Sequence, residues 1–220
     1  MREHQLKGIF VDDKRRFYTK NLVPGKVVYG EFLLRTKEGE FRQWDTRRSK
    51  LGAALAKGIS QIGLKESFKV LYLGAATGTT VSHVSDIVGK TGFVFAVDSA
   101  PRVLRELVFV AEDRKNIAPI LANANQPMEY VHLVPEVDFI FQDVSQRNQV
   151  EIFLKNIELY LKKEGFAALA IKARSIDVTK RPSVIFEESK QMLEKSVTIV
   201  DYRTLDPLEK DHAFFVVKKK

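Results

Sequence analysis

The sequence predicts a doubly wound α/β fold, in which helices cover both faces of a mainly parallel sheet, preceded by a small β module. From Val70 onward, apolar runs typical of buried strands alternate with segments whose apolar residues recur at helical spacing. The last two apolar runs, residues 197–200 and 213–217, have no helical segment between them. We therefore expect these two strands to pair antiparallel and to close the sheet.

The first 44 residues predict a small N-terminal β domain, because short strand-like runs alternate with turn residues. The runs cover residues 8–11, 17–19, 27–29, 31–34 and 40–44. Asp45 or Thr46 is then expected to cap a helix that runs through residues 47–57. We divide the chain into this N-terminal β domain, residues 1–44, and an α/β domain, residues 45–220.

The α/β domain is expected to contain five strands before the closing pair, with helices between most of them. The strands cover residues 70–73, 93–98, 117–121, 137–143 and 166–172, and the helices cover residues 81–88, 101–111, 149–163 and 183–195. Ligands of such sheets bind beyond the carboxyl ends of the strands. That rule selects Gly74, Asp98, Asn123, Asp143 and Lys172 as candidate site residues.

A strand, a glycine turn and a helix open the α/β domain, which is the pattern of a nucleotide-binding β-α-β unit. The turn contains Gly74 and Gly78, and Asp98 ends the next strand, 20 positions after Gly78. A carboxylate at that place can accept hydrogen bonds from the ribose hydroxyls of an adenosine ligand. The alternative is that the glycines only ease a tight turn and that Asp98 is a solvated cap.

The turn favours a ligand without phosphates. A dinucleotide turn requires the spacing G-x-G-x-x-G, whereas here Gly74 is followed by Ala76 at the position of the second glycine, then by Gly78 and Thr79-Thr80. The turn also contains no basic residue that would meet a diphosphate. An adenosine ligand with a zwitterionic tail, such as S-adenosylmethionine, fits this pattern better.

The net charge of +8 is unevenly distributed along the chain. Residues 1–69 contain 16 lysines and arginines against 8 acidic residues, whereas residues 70–220 contain 20 of each. This excess suggests a polyanionic partner, most simply nucleic acid, unless the lysines only solubilise the surface. The chain contains no cysteine, and no run approaches the roughly 20 apolar residues of a membrane span. We expect a cytoplasmic protein without disulfides and without a membrane partner.

Two charged residues, Asp143 and Lys172, end otherwise apolar strands, where a lone buried charge is costly. We expect them to pair with each other, and the pattern leaves open whether such a pair is structural or catalytic. Lys50 adjoins the small apolar stripe of the helix at residues 47–57. It is either a lysine at the rim of the core or one directed into a cleft.

Five segments carry motifs of one family: residues 44–51, 70–89, 143–146, 171–177 and 211–213. Together they resemble the fibrillarin family, in particular the archaeal fibrillarin-like RNA 2′-O-methyltransferases, and the resemblance extends over essentially the whole chain. It implies a class I S-adenosylmethionine-dependent methyltransferase fold behind a small N-terminal β domain. The implied activity is transfer of a methyl group from S-adenosylmethionine to ribose 2′-hydroxyls of pre-rRNA and possibly tRNA.

The resemblance implies a catalytic set of two lysines, an aspartate and a histidine: Lys50, Lys172, Asp143 and His212. A sulfonium methyl group is already electrophilic, so the protein has to place the 2′-hydroxyl and help its proton to leave. We hypothesise that Lys172, oriented by Asp143, either accepts that proton or stabilises the alkoxide as a cation. Lys50 and His212 would then shape the field and the position of the hydroxyl.

The resemblance also implies the cofactor-binding residues. They are Gly74, Ala75 and Gly78 in the turn, Thr79 and Thr80 for the methionine end, Asp98 and Ser99 for the ribose, Asn123 and Ala124 near the adenine, and Asp143, Val144, Ser145 and Gln146 along the pocket. Three places depart from the family pattern: Asp98 replaces the usual Glu, Asn123 replaces the usual Asp, and Arg147-Asn148 replace a proline and an acidic residue. Because Asn123 is uncharged, we expect a lower affinity for the cofactor than an aspartate at this position would give.

The resemblance further implies that the enzyme works within a box C/D ribonucleoprotein. Its partners would be the guide RNA, the target rRNA or tRNA, a Nop-family scaffold protein and a kink-turn-binding ribosomal-type protein. Two other interpretations stay open. One is another class I methyltransferase, acting on tRNA, a base or a protein side chain, and the other is a non-catalytic RNA-binding or scaffold subunit with a vestigial cofactor site. The glycine spacing disfavours a dehydrogenase.

Overall fold

The computed structural model describes residues 1–220 and contains twelve strands and six α-helices. The strands are β1 Arg2–Glu3, β2 Ile9–Val11, β3 Phe17–Lys20, β4 Leu33–Thr36, β5 Gly39–Trp44, β6 Lys69–Leu73, β7 Phe93–Asp98, β8 Ile117–Leu121, β9 Val137–Gln142, β10 Leu161–Lys172, β11 Val197–Thr204 and β12 His212–Lys219. The helices are α1 Lys50–Ala56, α2 Thr79–Val88, α3 Pro101–Asp113, α4 Gln149–Tyr160, α5 Ala173–Ile176 and α6 Pro182–Glu194. None of these helices combines the length and the apolar character needed to span a lipid bilayer.

Seven strands form the main sheet, in the order β11-β12-β10-β9-β6-β7-β8. Strands β10, β9, β6, β7 and β8 pair parallel, and β12 pairs antiparallel with both β10 and β11. Helices α1 to α3 pack on one face through residues such as Val84 and Leu107, and α4 and α6 pack on the other through residues such as Phe153 and Leu193. The predicted doubly wound α/β fold with an antiparallel closing strand is confirmed.

The helix before β6 begins later than the sequence predicts. Asp45 and Thr46 do not cap it, because Asp45 accepts its hydrogen bonds within a preceding turn. Ser49 is the N-cap instead, and its Oγ accepts the N–H of Gly52 at 3.1 Å. Lys50 is therefore the first residue of α1, which fixes the position of its backbone.

Residues 27–29, which the sequence predicts as a strand, form irregular chain. The N–H groups of Val28 and Tyr29 donate to the carboxylate of Glu31 at 3.0 and 2.8 Å. These N–H groups therefore cannot donate to a neighbouring strand. The predicted strand at residues 27–29 is wrong because the Glu31 carboxylate binds its backbone donors. The N-terminal sheet also contains β1, which the sequence did not predict and which pairs antiparallel with β2.

Buried charges join the N-terminal sheet, in the order β1-β2-β3-β5-β4, to the α/β domain. Arg42 of β5 donates to Glu31 at 2.6 Å and to Asp86 of α2 at 2.8 Å. Arg114, which follows α3, donates to the other oxygen of Asp86 at 2.6 Å. All four side chains are buried. The division of the chain at residue 44 stays a prediction, because the two sheets share this interface.

His83 of α2 belongs to the same interface and is structural. Its ring stacks on Trp44 with the centroids 4.5 Å apart. Its Nδ1 lies 2.7 Å from Thr19 Oγ1, and its Nε2 lies 2.7 Å from the hydroxyl oxygen of Tyr29. Burial and two nearby arginine charges hold the pKa of His83 well below its ordinary value. His83 is therefore neutral at physiological pH.

Replacing Asp86 with alanine should strongly destabilise the protein, because two buried guanidinium groups lose their shared carboxylate. We expect Asp86→Ala to lower the free energy of unfolding by about 3–5 kcal/mol, measured by chemical denaturation. Glu188→Ala is the control, because it removes a partner from the exposed ion pair with Lys180 and should change stability little. An equal loss in the two variants would contradict a structural role for the buried network.

Candidate active site

A cleft of about 190 Å³ opens at the carboxyl edge of β6, β7 and β9. Its lining consists of Gly74, Ala76, Val97, Asp98, Ser99, Ala122, Ala124, Asp143, Val144, Ser145 and Gln146. Eight of these eleven residues are ones to which the sequence assigns a cofactor role; Ala76, Val97 and Ala122 are additional. The cleft therefore lies where the topology of an open α/β sheet predicts a ligand.

The glycine turn lies against the end of β9, and only glycine fits at Gly74. Its φ is +81°, and a Cβ placed on it would lie 2.3 Å from the backbone oxygen of Asp143. Gly78 has φ +94°, and a Cβ there would lie 2.7 Å from Leu107 of α3. Gly74 thus allows the close approach that forms the cleft, whereas Gly78 packs the turn against α3.

The turn leads directly into the N-terminus of α2, which has no side-chain cap. The first N–H groups of a helix have no partner within it, and the helix dipole favours an anion there. Thr79 and Thr80 are the first two residues of α2. The hydroxyl of Thr80 donates to Ser49 Oγ at 2.9 Å, so this side chain ties α2 to the cap of α1.

Both oxygens of Asp98 accept backbone hydrogen bonds. One accepts the N–H of Ala76 at 2.8 Å, and the other accepts the N–H of Ala100 at 2.9 Å. Each carboxylate oxygen has a second lone pair, so Asp98 can still accept hydrogen bonds from two hydroxyls of a ligand. Asp98 also holds the glycine turn against the end of β7.

Five residues with a predicted cofactor role do not line the cleft. They are Ala75, Gly78, Thr79, Thr80 and Asn123. Asn123 lies between two lining residues, Ala122 and Ala124. Its side-chain oxygen accepts the N–H of Asn125 at 3.0 Å and so stabilises a local turn. To bind an adenine amine as predicted, this oxygen would have to accept a second hydrogen bond in addition to the one from the N–H of Asn125.

Two members of the predicted catalytic set are in contact. Nζ of Lys50 lies 3.4 Å from Oδ2 of Asp143, and both side chains are partly exposed at the cleft. Burial raises the pKa of the Asp143 carboxyl above its ordinary value, although the positive charges of Lys50, His212 and Lys172 oppose this shift. The sequence left open whether Lys50 belongs to the rim or to a cleft; in the structure Lys50 contacts Asp143, which lines the cleft, but is not itself a lining residue.

The predicted pairing of Asp143 with Lys172 is wrong. Strands β9 and β10 pair as far as Gln142 and Leu169. Lys172 therefore lies two residues beyond the level of Asp143, about 7 Å farther along the strand. The lysine that pairs with Asp143 is instead Lys50, the first residue of α1.

Lys172 and His212 face each other across β10 and β12. They are directly paired in the antiparallel register, a position in which Cβ atoms lie about 4.5–5.5 Å apart. Lys172 is exposed, whereas His212 is buried. The Nδ1 of His212 lies 2.7 Å from the carbonyl oxygen of Lys210, so Nδ1 carries the proton and Nε2 is the acceptor in the neutral ring.

Two residues that organise the site were missed from the sequence. Ser49 caps α1, and serine is among the favoured N-cap residues, so the pattern contained a signal for it. Gln149 is fully buried and contacts the backbone of Lys172. No periodicity or motif distinguishes it, because its partners are the loop residue Gln146 and the last residue of β10, Lys172.

The strand order, the antiparallel β12, the glycine turn and the carboxylate that ends β7 define a class I S-adenosylmethionine-dependent methyltransferase fold. Within that class, the chain belongs to the fibrillarin family, whose model matches residues 1–220.

Relatives of known name match along their whole length. The fibrillarin-like rRNA/tRNA 2′-O-methyltransferase of Pyrococcus abyssi is 48% identical over 223 residues, which cover 100% of this chain and 98% of the relative. Aeropyrum pernix fibrillarin, solved in complex with natively bound S-adenosylmethionine, superposes with a TM-score of 0.90 and 44% identity over 98% of this chain and 96% of its own. A chain of a fibrillarin/Nop5p complex superposes with a TM-score of 0.90 and 36% identity, with full coverage of both chains.

Removing the charge of Lys50 should raise the pKa of Asp143 further. Lys50 is the cation in contact with this carboxylate, so Lys50→Met disfavours the ionised form. The measurement is the carbon-13 chemical shift of the Asp143 carboxyl group as a function of pH. Lys57→Met, at the other end of α1, is the matched control and should leave that titration unchanged. The same pKa in Lys50→Met and the unmodified protein would show that the contact does not form in solution.

Proposed function

We propose that this protein is an RNA 2′-O-methyltransferase that transfers a methyl group from S-adenosylmethionine to ribose 2′-hydroxyls of rRNA, and of tRNA as a second substrate. It would act as the catalytic subunit of a box C/D guide-RNA ribonucleoprotein. One observation carries the proposal: in a chain that belongs to the fibrillarin family over its full length, Lys50 and Asp143 are in contact at the cleft, with Lys172 and His212 paired on the adjacent strands.

The cleft fits S-adenosylmethionine. The absence of a Cβ at Gly74 leaves room beside the Asp143 backbone, and a carboxylate tail can bind the uncapped N-terminus of α2. Asp98 can accept hydrogen bonds from ribose hydroxyls, and Ala122 and Ala124 offer an apolar wall. When bound, S-adenosylmethionine supplies a methyl group on a positively charged sulfur. Asp143, Val144, Ser145 and Gln146 would complete the pocket.

Each lysine has a different part in the proposed mechanism. Asp143, which lines the cleft, holds the ammonium group of Lys50 at 3.4 Å, which fixes this cation beside a lining residue. Lys172 is exposed at the end of β10, where it can meet an RNA substrate. As an ammonium group, Lys172 stabilises the oxyanion that develops while the 2′-hydroxyl loses its proton to water. Together the two cations hold the hydroxyl in line for attack.

His212 supports Lys172 from the neighbouring strand. Because its Nδ1 is committed to the Lys210 carbonyl, its ring orientation is fixed and its Nε2 is free to accept a hydrogen bond. A set of two lysines, a carboxylate and a histidine suits the placement and deprotonation of a sugar hydroxyl. It also argues against a vestigial site, because all four residues of the catalytic set that the resemblance implies are present.

The proposed partners follow from the relative that was solved with Nop5p and from the charge of the chain. The fibrillarin/Nop5p complex supports a Nop-family scaffold protein as the protein partner. A box C/D guide RNA and a kink-turn-binding ribosomal-type protein would complete the particle. The positive excess in residues 1–69 supplies an attractive field for RNA. Base pairing by the guide would then select the target nucleotide.

Reconstitution tests the proposed function. The chain is combined with a box C/D guide RNA, a Nop-family scaffold protein, a kink-turn-binding protein and a complementary target strand, and ribose methylation is mapped on that strand. We expect methylation only in the complete particle and at one position set by the guide. Wild-type particles that assemble and bind S-adenosylmethionine but transfer no methyl group would reject the proposal.

Lys172→Ala should lower methyl transfer in this particle by about 10²–10⁴-fold, the range seen when an acid–base or oxyanion-stabilising group is lost. The affinity for S-adenosylmethionine, measured by calorimetry, should stay largely intact, because Lys172 does not line the cleft. Lys163→Ala is a matched control, since Lys163 is an exposed lysine near the opposite end of the same strand. Retained turnover in Lys172→Ala would remove Lys172 from the mechanism.

A further inference from the structure

Gln149, the first residue of α4, has a fully buried side chain that contacts two segments of the active-site edge, the loop at Gln146 and the end of β10. Its Oε1 accepts the backbone N–H of Lys172 at 3.1 Å. Its Nε2 donates to the carbonyl oxygens of Gln146 at 2.9 Å and Lys172 at 3.3 Å. One amide group therefore joins the loop that lines the cofactor cleft to the backbone of the proposed catalytic lysine.

The sheet itself does not bind this part of β10. On one side, the pairing with β9 ends at Leu169, three residues before Lys172. On the other side, Lys172 is paired with His212, but the adjacent bond runs from the N–H of Ala173 to the carbonyl of Asp211. That pattern identifies a non-hydrogen-bonded pair, in which the N–H and C=O of Lys172 point away from β12. Gln149 meets both of these groups.

The backbone of Gln149 is in turn anchored to the end of β9. Its carbonyl oxygen accepts a hydrogen bond from Nε2 of Gln142 at 2.6 Å. Gln142 is buried and directly precedes Asp143. The chain of amides thus runs from the strand that carries Asp143, through Gln149, to the strand that carries Lys172.

We propose that Gln149 is a positioning residue that extends the sheet by one amide group and so fixes Lys172 relative to Asp143 and the cofactor cleft. This inference rests on the proposed role of Lys172 in methyl transfer. A glutamine side chain has the one donor and one acceptor needed to mimic a strand, together with a second donor for the Gln146 carbonyl. Truncation would remove these partners from partly buried backbone groups and would free the end of β10.

The test compares three variants. Gln149→Met keeps the length of the side chain but removes every polar contact. Gln149→Glu keeps an acceptor for the N–H of Lys172 but, when ionised, cannot donate to the two carbonyl oxygens. Asn116→Leu is the matched control, because Asn116 is a buried amide that bonds backbone oxygens of Ser85 and Gly89, at the far end of the sheet from the cleft.

Two readouts are measured on each variant: hydrogen exchange at the Lys172 amide in the isolated chain, and kcat and KM for methyl transfer in the reconstituted particle. We expect Gln149→Met to speed exchange at the Lys172 amide and to lower kcat by about 10²-fold, the effect of a misplaced catalytic group. Asn116→Leu should lose stability but keep both values. For Gln149→Glu, activity relative to wild type should rise as the pH falls, because a protonated carboxyl can again donate to a carbonyl.

Unchanged exchange at Lys172 in Gln149→Met would overturn the inference, as would a fall in kcat no larger than that of Asn116→Leu. Activity of Gln149→Glu that keeps a constant ratio to wild type across pH would also count against it. The exchange measurement needs no enzymatic activity. A wild-type particle without methyl transfer would therefore reject the proposed function. The exchange rate at the Lys172 amide would still decide whether Gln149 holds the backbone of Lys172.

Discussion

The active-site edge depends on the close approach of two backbones, the turn after β6 and the end of β9. The N–H of Asp143 donates to the carbonyl of Leu73 at 2.9 Å, and a Cβ at Gly74 would lie 2.3 Å from the Asp143 oxygen. This contact places the Asp143 carboxylate beside the cleft and leaves space for a ligand above the turn. The ion pair with Lys50 and the raised pKa of Asp143 both follow from that position.

The two proposed catalytic lysines are held by unrelated devices. Lys50 is placed by a cap: Ser49 begins α1 and accepts a hydrogen bond from Thr80, the second residue of α2. Lys172 is placed by the register of β10 with β12 and by the amide of Gln149. In each case a buried polar side chain ties the lysine backbone to an element that borders the cleft.

The buried interface between the two sheets also stabilises the helix that follows the glycine turn. Asp86 accepts hydrogen bonds from Arg42 of the N-terminal sheet and from Arg114 after α3, and its helix, α2, follows the glycine turn that lines the cleft. The basic N-terminal sheet is therefore attached to the helix whose N-terminus is proposed to bind the cofactor's carboxylate tail. In the proposed function, RNA attracted by this positive charge would meet a surface that these buried hydrogen bonds connect to the site.

Much of the fold was predictable because the strands of a parallel sheet are continuous apolar runs, and β7 and β8 match their predicted bounds. The glycine turn and the strand-end residues were predictable from topology. Local side-chain competition was not: Glu31 takes the donors of residues 27–29, and Ser49 replaces Asp45 as the cap. The partner of Asp143 could not be predicted either, because the choice between Lys50 and Lys172 depends on the register of β9 with β10.

The central claim is that Lys50, Asp143 and Lys172 converge on the reacting atom of a bound sulfonium donor. A crystal structure of the protein with S-adenosylhomocysteine tests this most directly. We expect the adenosine beside Asp98 and Ala124, the amino-acid tail at the start of α2, and the sulfur facing the space between the two lysines. A ligand bound outside this cleft, or a sulfur turned away from both lysines, would contradict the claim.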